Sequence, residues 1–334
     1  MWKTYFLQQG GVFVQDQYQR NIGYMRISVT DRCNLRCQYC MPHGMQWLEH
    51  SQILTYEEIV RLARIAITLG IRRFKLTGGE PLVRHDLVGL VSQLSSLEGC
   101  EQVTLTSNGI LLAEQAEALA QAGLQAVNIS LDTLDRAQYK AITGQDALDK
   151  VLESIQASLQ AGLKVKINTV LLQENESQLV RLASLAQNQP VDVRFIELMP
   201  IGSGAQGRGL SPHKARKRLK QHWPDLADVQ EKRGNGPAHY QASAGLQGRI
   251  GWIEAVSHTF CNECNRIRLT STGQLKPCLC YEHGMDFRAL LRGGASDEEL
   301  AAQMRQLIFE KPKAHCFEDA GQITEHRQMV QIGG

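Results

Sequence analysis

The run Tyr24-Met-Arg-Ile-Ser-Val-Thr-Asp-Arg-Cys33-Asn-Leu-Arg-Cys37-Gln-Tyr-Cys40 decides how the rest of this 334-residue chain is read. Its first seven residues have the apolar, β-branched character of a strand. The loop directly after it carries three thiols in the spacing C-x3-C-x2-C. Three soft ligands crowded onto one loop suit an iron–sulfur cluster, and a four-iron cube normally takes four. One iron is then left open to bind and reduce a second molecule. A zinc loop would want four ligands in paired knuckles, and no fourth lies nearby.

Outward from this loop, short β-rich runs alternate with amphipathic stretches from about residue 24 to 220. The strand candidates are Met25–Thr30, Arg73–Thr77, Gln102–Thr106, Ala126–Leu131, Lys164–Leu171 and Asp192–Glu197. Thr55-Tyr-Glu-Glu58 is a capping box opening a helix that runs to Leu69 and stops at Gly70. Leu111–Ala122 and Ala147–Ala161 read as helices closed by Gly123 and Gly162. Repeated strand–helix units demand a parallel sheet with right-handed crossovers. The expected class is α/β: an incomplete (β/α)6 TIM-type barrel with a C-terminal iron–sulfur module, and a doubly wound open sheet as the competing arrangement.

Glycine-rich Ile201–Leu210 and the basic run His213–Lys220, read as an exposed helix face, precede a soft boundary near residue 225. The expected domains are therefore 1–225 and 226–334. Chemistry in parallel α/β folds sits at the carboxyl ends of strands. Four polar motifs fall there: the cysteine loop, Thr77-Gly-Gly-Glu80-Pro, Ser107-Asn-Gly109 and Ser130-Leu-Asp132. In the second, glycines let backbone approach a ligand closely.

A net charge of +2 gives no reason to expect a nucleic-acid or membrane partner. No apolar run approaches the length of a membrane span, and the start Met1-Trp-Lys-Thr-Tyr-Phe6 lacks a signal-peptide core, so a cytoplasmic location is expected. In a reducing compartment, nine clustered cysteines argue for metal ligation over disulfides. The late group, Cys261-Asn-Glu-Cys264-Asn-Arg266-Ile-Arg268 and then Cys278, has the spacing C-x2-C-x13-C. Three ligands again suggest a cube with one open iron. Adding Cys280 makes four, so taken alone this group would suit a zinc ribbon better. Cys100 and Cys316 stand apart and read as buried apolar residues.

The early cysteine spacing, with Tyr39 just before the last thiol, resembles the radical S-adenosylmethionine (SAM) enzymes, and the Gly-Gly-Glu-Pro motif one βα unit later strengthens the likeness. With both cysteine sets, Arg266-Ile-Arg268 and the terminal Gly333-Gly334, nearly the whole chain resembles the GTP 3′,8-cyclase family of molybdenum cofactor biosynthesis. The resemblance implies two [4Fe-4S] clusters, one held by Cys33, Cys37 and Cys40 and one by Cys261, Cys264 and Cys278, with Cys280 as a non-ligand. It implies SAM contacts at Tyr39, Gly79, Ser130 and Met199, and GTP contacts at Arg26, Lys75, Thr106, Lys166, Arg266 and Arg268. Arginine forks suit phosphate oxygens.

The family further implies an electron donor of flavodoxin or ferredoxin type and a product passed to cyclic pyranopterin monophosphate synthase; a homodimer is compatible with the sequence. One departure stands out: Lys75 replaces the family's usual arginine before Leu-Thr-Gly-Gly, keeping the charge and losing the planar fork. The rivals are a peptide-modifying radical maturase and a zinc-stabilised binding protein.

Overall fold

The computed structural model describes residues 13–41 and 47–333; Met1–Phe6 and Gly334 lie outside the described residues. A small hairpin, β1 (Val14–Gln15) with β2 (Asn21–Ile22), leads into the main sheet. Strands β3 (Tyr24–Ser28), β4 (Arg73–Thr77), β5 (Gln102–Ser107), β6 (Ala126–Ser130), β7 (Lys164–Leu171) and β8 (Asp192–Glu197) match the six expected segments to within two residues at each end. They lie side by side in chain order, all parallel. No reversal of strand order occurs among them, which excludes the doubly wound alternative.

The segment after residue 225 builds no sheet of its own. β9 (Ala227–Val229), β10 (His239–Ala242) and β11 (Ile250–Ile253) extend the sheet beyond β8, while β12 (Arg266–Leu269), β13 (Gln274–Lys276) and β14 (Met285–Asp286) extend it beyond β3. β11 runs parallel to β8 and β12 parallel to β3. The outermost strands, β14 and β9, do not pair with each other, so the sheet stays open.

Successive side chains along the parallel strands point to opposite faces of the sheet. Met25, Ile27, Phe74, Leu76, Val127 and Ile129 are completely buried in the main apolar core. Each such side chain contributes about 1.5–3 kcal/mol through burial. Their in-between neighbours Arg26, Lys75, Thr104, Thr106, Asn128 and Lys166 face the other way, into a cavity. A closed TIM barrel fills that space with branched apolar residues. Here it is lined with charge, so it holds a ligand space instead of a core.

Local signals set the helix ends. At α1 (Tyr56–Thr68), Thr55 Oγ1 accepts from Glu58 N at 3.2 Å while the Glu58 carboxylate accepts from Thr55 N at 2.7 Å. Gly70 follows with φ 88° and Gly162, behind the helix Leu148–Gln160, with φ 76°, both left-handed. The expected helix Leu111–Ala122 is shorter than its pattern: a 3-10 turn at Ala113–Gln115 precedes an α-helix of only Ala116–Gln121. Neither Leu112 nor Gln115 supplies a side-chain cap, so the unpaired N–H groups tighten the first turn. Among the described residues no helix is long and apolar enough to cross a membrane.

Candidate active site

The loop after β3 is stitched to the loop after β4. Val29 N donates to Thr77 O at 2.9 Å, Gly79 N to Thr30 O at 2.8 Å and Glu80 N to Arg32 O at 2.8 Å. A Cβ on Gly78 would collide with the Thr30 backbone, and one on Gly79 with that of Asp31 and Arg32. The sequence suggests that these glycines make room for a ligand. In the structure much of that room is taken by the backbone of the cysteine loop itself.

Glu80 continues the stitching. Its buried carboxylate accepts from Asn108 N at 2.6 Å, Ser107 Oγ at 2.9 Å and Leu82 N at 3.1 Å. Burial pushes it up to about 7 despite those bonds. The Asn108 amide reaches Asn34 Oδ1 at 2.7 Å and Cys33 Sγ at 3.8 Å. Ser107 and Asn108 therefore position the cysteine loop, a role that spacing alone did not assign. Their place at the carboxyl end of a parallel strand was the available signal. Tyr39 donates to Asp132 Oδ2 at 2.7 Å, and Asp132 Oδ1 accepts from Val170 N at 2.8 Å. Burial raises the Cys33 and Cys37 thiols and pushes Cys40 up to about 12. Thiolates here call for a strong local positive charge, which bound iron supplies.

The second thiol trio is clamped by two buried cations. Arg20 donates to the carbonyls of Cys261 (2.7 Å), Lys313 (2.8 Å) and Pro312 (2.6 Å) and is itself held by Asp16 at 2.5 Å. Lys311 Nζ donates to Arg266 O at 3.0 Å and to Pro277 O, tying the strand after Cys264 to the residue before Cys278. Burial would raise the Cys264 thiol, but the Lys311 and Arg266 charges prevail and bring it down to about 6. The sequence drew attention to neither Arg20 nor Lys311, because both act on backbone carbonyls far along the chain. Cys280 faces away from the trio. Its sulfur lies 2.8 Å from that of Cys316, a juxtaposition no spacing announced, and it is not among the described residues lining the cavity.

Both trios open onto one cavity of about 1130 Å³. Tyr39, Gly79, Ser130 and Met199 line it, as do Arg26, Lys75, Thr106, Lys166, Arg266 and Arg268. Strand register explains the gathering. Arg268, Arg26, Lys75 and Thr104 are successive partners across β12, β3, β4 and β5. Thr106, Asn128, Lys166 and Asp192 form a second row across β5 to β8. Arg194 joins them from β8, its guanidinium held by Asn168 Oδ1 at 2.6 and 3.0 Å. Sequence reading passed over Arg194, although it has the inward parity of its strand.

Packed together, these cations burden one another. Burial, then the charges of Arg194, Arg26 and Lys166, hold Lys75 well below the usual lysine range. Burial followed by Arg26 and Arg266 lowers Arg268, and burial followed mainly by Arg194 brings Lys166 down to about 8. Such a lining favours a polyanion. Arg266 Nε, Thr77 Oγ1 and Asp192 Oδ1 are buried without a hydrogen-bond partner, as expected of a cradle for a polar ligand. Arg268 also donates to Gly333 O at 2.8 Å, bringing the chain's tail to the site.

The donor sets fit clusters. Each trio is all-sulfur, the ligand type of iron–sulfur cubes. Among the described residues no three His, Cys, Asp or Glu side chains converge closely enough for a single ion. A cube, several atoms across, asks its ligands to stand further apart than one ion does.

Comparison with known proteins agrees with this construction. Residues 27–186 match the family model of the radical SAM superfamily, and residues 191–317 match that described as Molybdenum Cofactor Synthesis C. Streptococcus suis SuiB bound to S-adenosylmethionine shares the fold at TM-score 0.62 and 14% identity, over 93% of this chain and 77% of that one. A crystal structure titled native anSMEcpe with bound AdoMet does so at TM-score 0.58 and 17% identity, over 88% and 82%. The class is thus that of the radical SAM proteins.

Within that class the relatives are specific. A GTP 3′,8-cyclase of Clostridium perfringens (strain SM101 / Type A) is 43% identical over 323 residues, 96% of this chain and 100% of the relative. One from Pelotomaculum thermopropionicum is 45% identical over 327 residues, again 96% and 100%. The chain belongs to the GTP 3′,8-cyclase family.

Proposed function

We propose that this protein is a radical SAM enzyme that converts GTP to (8S)-3′,8-cyclo-7,8-dihydroguanosine 5′-triphosphate, the first step of molybdenum cofactor biosynthesis. The observation that carries the reading is the single cavity onto which both thiol trios, the four candidate SAM residues and the six candidate GTP residues open. Cys33, Cys37 and Cys40 would hold one [4Fe-4S] cluster, and Cys261, Cys264 and Cys278 the other. When bound, the first cluster and SAM together supply hydrogen-atom abstraction at ribose C3′, after which C3′ bonds to guanine C8.

The chain's own residues do the rest. Tyr39, oriented by Asp132, closes one side of the SAM site, with Gly79, Ser130 and Met199 completing it. Arg26, Lys75, Lys166, Arg194 and Arg268 present guanidinium and ammonium donors to the triphosphate, fixing the nucleotide so that C3′ faces the first cluster. Thr106 contributes a hydroxyl, and Arg266 holds the nucleotide beside the second trio.

On this reading the parallel strands form an incomplete (β/α)6 barrel. Residues 1–225 form the radical-generating part, and 226–334 supply the second cluster and the Arg-Ile-Arg strand that completes the GTP site. The enzyme would work in the cytoplasm, drawing electrons from a flavodoxin or ferredoxin and handing its product to cyclic pyranopterin monophosphate synthase; a homodimer would leave the site intact within each chain.

The test is an anaerobic incubation with SAM, dithionite and GTP. 5′-Deoxyadenosine should accumulate only when GTP is present, in step with the cyclised nucleotide. Equal yields without GTP, or yields that depend on a peptide instead, would overturn the assignment.

A further inference from the structure

Of the three cysteines that take no part in the site described above, Cys100 stands alone and the other two meet. Cys280 is fully buried and Cys316 half-buried, in a small apolar cluster with Ile201, Ala255, Leu279, Phe317 and Ile332, separate from the main core. Their sulfurs stand 2.8 Å apart, and Cys316 N donates to Cys280 Sγ at 3.3 Å. Thirty-six residues separate them in the chain, so the pairing is a product of the fold. Apolar packing by itself asks nothing of two adjacent thiols that two aliphatic side chains would not also satisfy. We propose that Cys280 and Cys316 are a covalent modification site, a dithiol that closes to a reversible disulfide.

The chemistry balances with a low-molecular-weight disulfide such as glutathione disulfide as oxidant. Cys316, the more exposed sulfur, attacks it, forming a mixed disulfide and releasing one glutathione thiol. Cys280 then displaces the second glutathione, closing the Cys280–Cys316 bond. Two protein thiols lose two electrons, and their protons pass to the two glutathione sulfurs.

Position gives the bridge its consequence. Cys280 lies two residues past Cys278, and Cys316 directly follows His315, whose backbone N–H reaches Cys261 Sγ at 3.4 Å. Closure would pin the two segments that frame the second trio without consuming any of its thiols.

The experiment treats the anaerobic, cluster-loaded full chain with graded glutathione disulfide, blocks the remaining thiols and maps the peptides, with iron measured in parallel. The expected product is about 2 Da lighter, carries one cross-link between Cys280 and Cys316, keeps its iron and reverts with dithiothreitol. C280S should instead accumulate glutathione on Cys316, and C316S should form no bridge. The proposal is overturned by a lasting glutathione adduct on Cys316 in the unaltered chain, or by bridges forming first among the cavity cysteines. No bridge at an oxidant level that fully modifies Cys100 would sink it equally. Iron content and GTP-dependent turnover, read on the same samples, separate failure here from failure of the catalytic assignment.

Discussion

Lys75 stands between Arg26 and Thr104 in the sheet register, buried among cations and without a guanidinium's fork. Lys75→Arg should therefore tighten GTP binding about tenfold, the worth of one added charge-assisted bond. Isothermal titration of the two proteins with GTP reads this directly; unchanged affinity would remove Lys75 from the phosphate site. Lys166 makes a second prediction through its charge. Burial and Arg194 bring it down to about 8, so it is protonated below that pH and loses its charge as pH rises through it. Since the free enzyme must bind an anion, kcat/KM for GTP should fall above about pH 8. Lys166→Arg, charged throughout, should flatten that limb.

Loops at strand ends matter more here than strands do. The turn after β4 has two glycines because the cysteine loop's backbone lies against it, and Glu80 then knots that turn to Ser107 and Asn108. Gly79→Ala would force Asp31 and Arg32 aside at a cost of about 1–3 kcal/mol, typical of overpacking a close contact. We expect a lower melting temperature together with loss of about half the iron, from the first trio alone. Full iron at an unchanged melting temperature would show that the loop accommodates the methyl group.

Across the whole molecule, the two trios sit at opposite ends of one parallel strand pair and open onto the same cavity: Cys33, Cys37 and Cys40 follow the carboxyl end of β3, while Cys261 and Cys264 precede the amino end of its neighbour β12. Each is held by different neighbours: the first by Glu80, Asn108 and Asp132, the second by Arg20 and Lys311. Separate scaffolds predict separate losses. Cys37→Ser and Cys264→Ser should each remove about four of about eight irons, and the double variant nearly all. If either single change empties both sites, the clusters depend on one another in a way this architecture does not explain.

Much of this was legible in the chain itself. The six strand positions follow from alternation, since one face must bury valine, isoleucine and leucine while the other stays polar. The helix ends at Gly70 and Gly162 follow from the left-handed backbone that glycine adopts freely. The early thiol spacing pointed to an iron–sulfur cluster, because three soft ligands on one loop suit little else, whereas the late group suited zinc by itself and was read as a second cluster only through the family resemblance. What the sequence determined was therefore everything set by neighbours a few residues apart. Tertiary structure alone decided the rest: that strands after residue 225 extend both edges of one sheet, that Arg20 and Lys311 grip the second trio, and that Cys280 meets Cys316. Those are contacts between segments tens to hundreds of residues apart. Strand pairing and backbone carbonyls make them, and neither leaves a periodic mark in the side chains from which it could have been read.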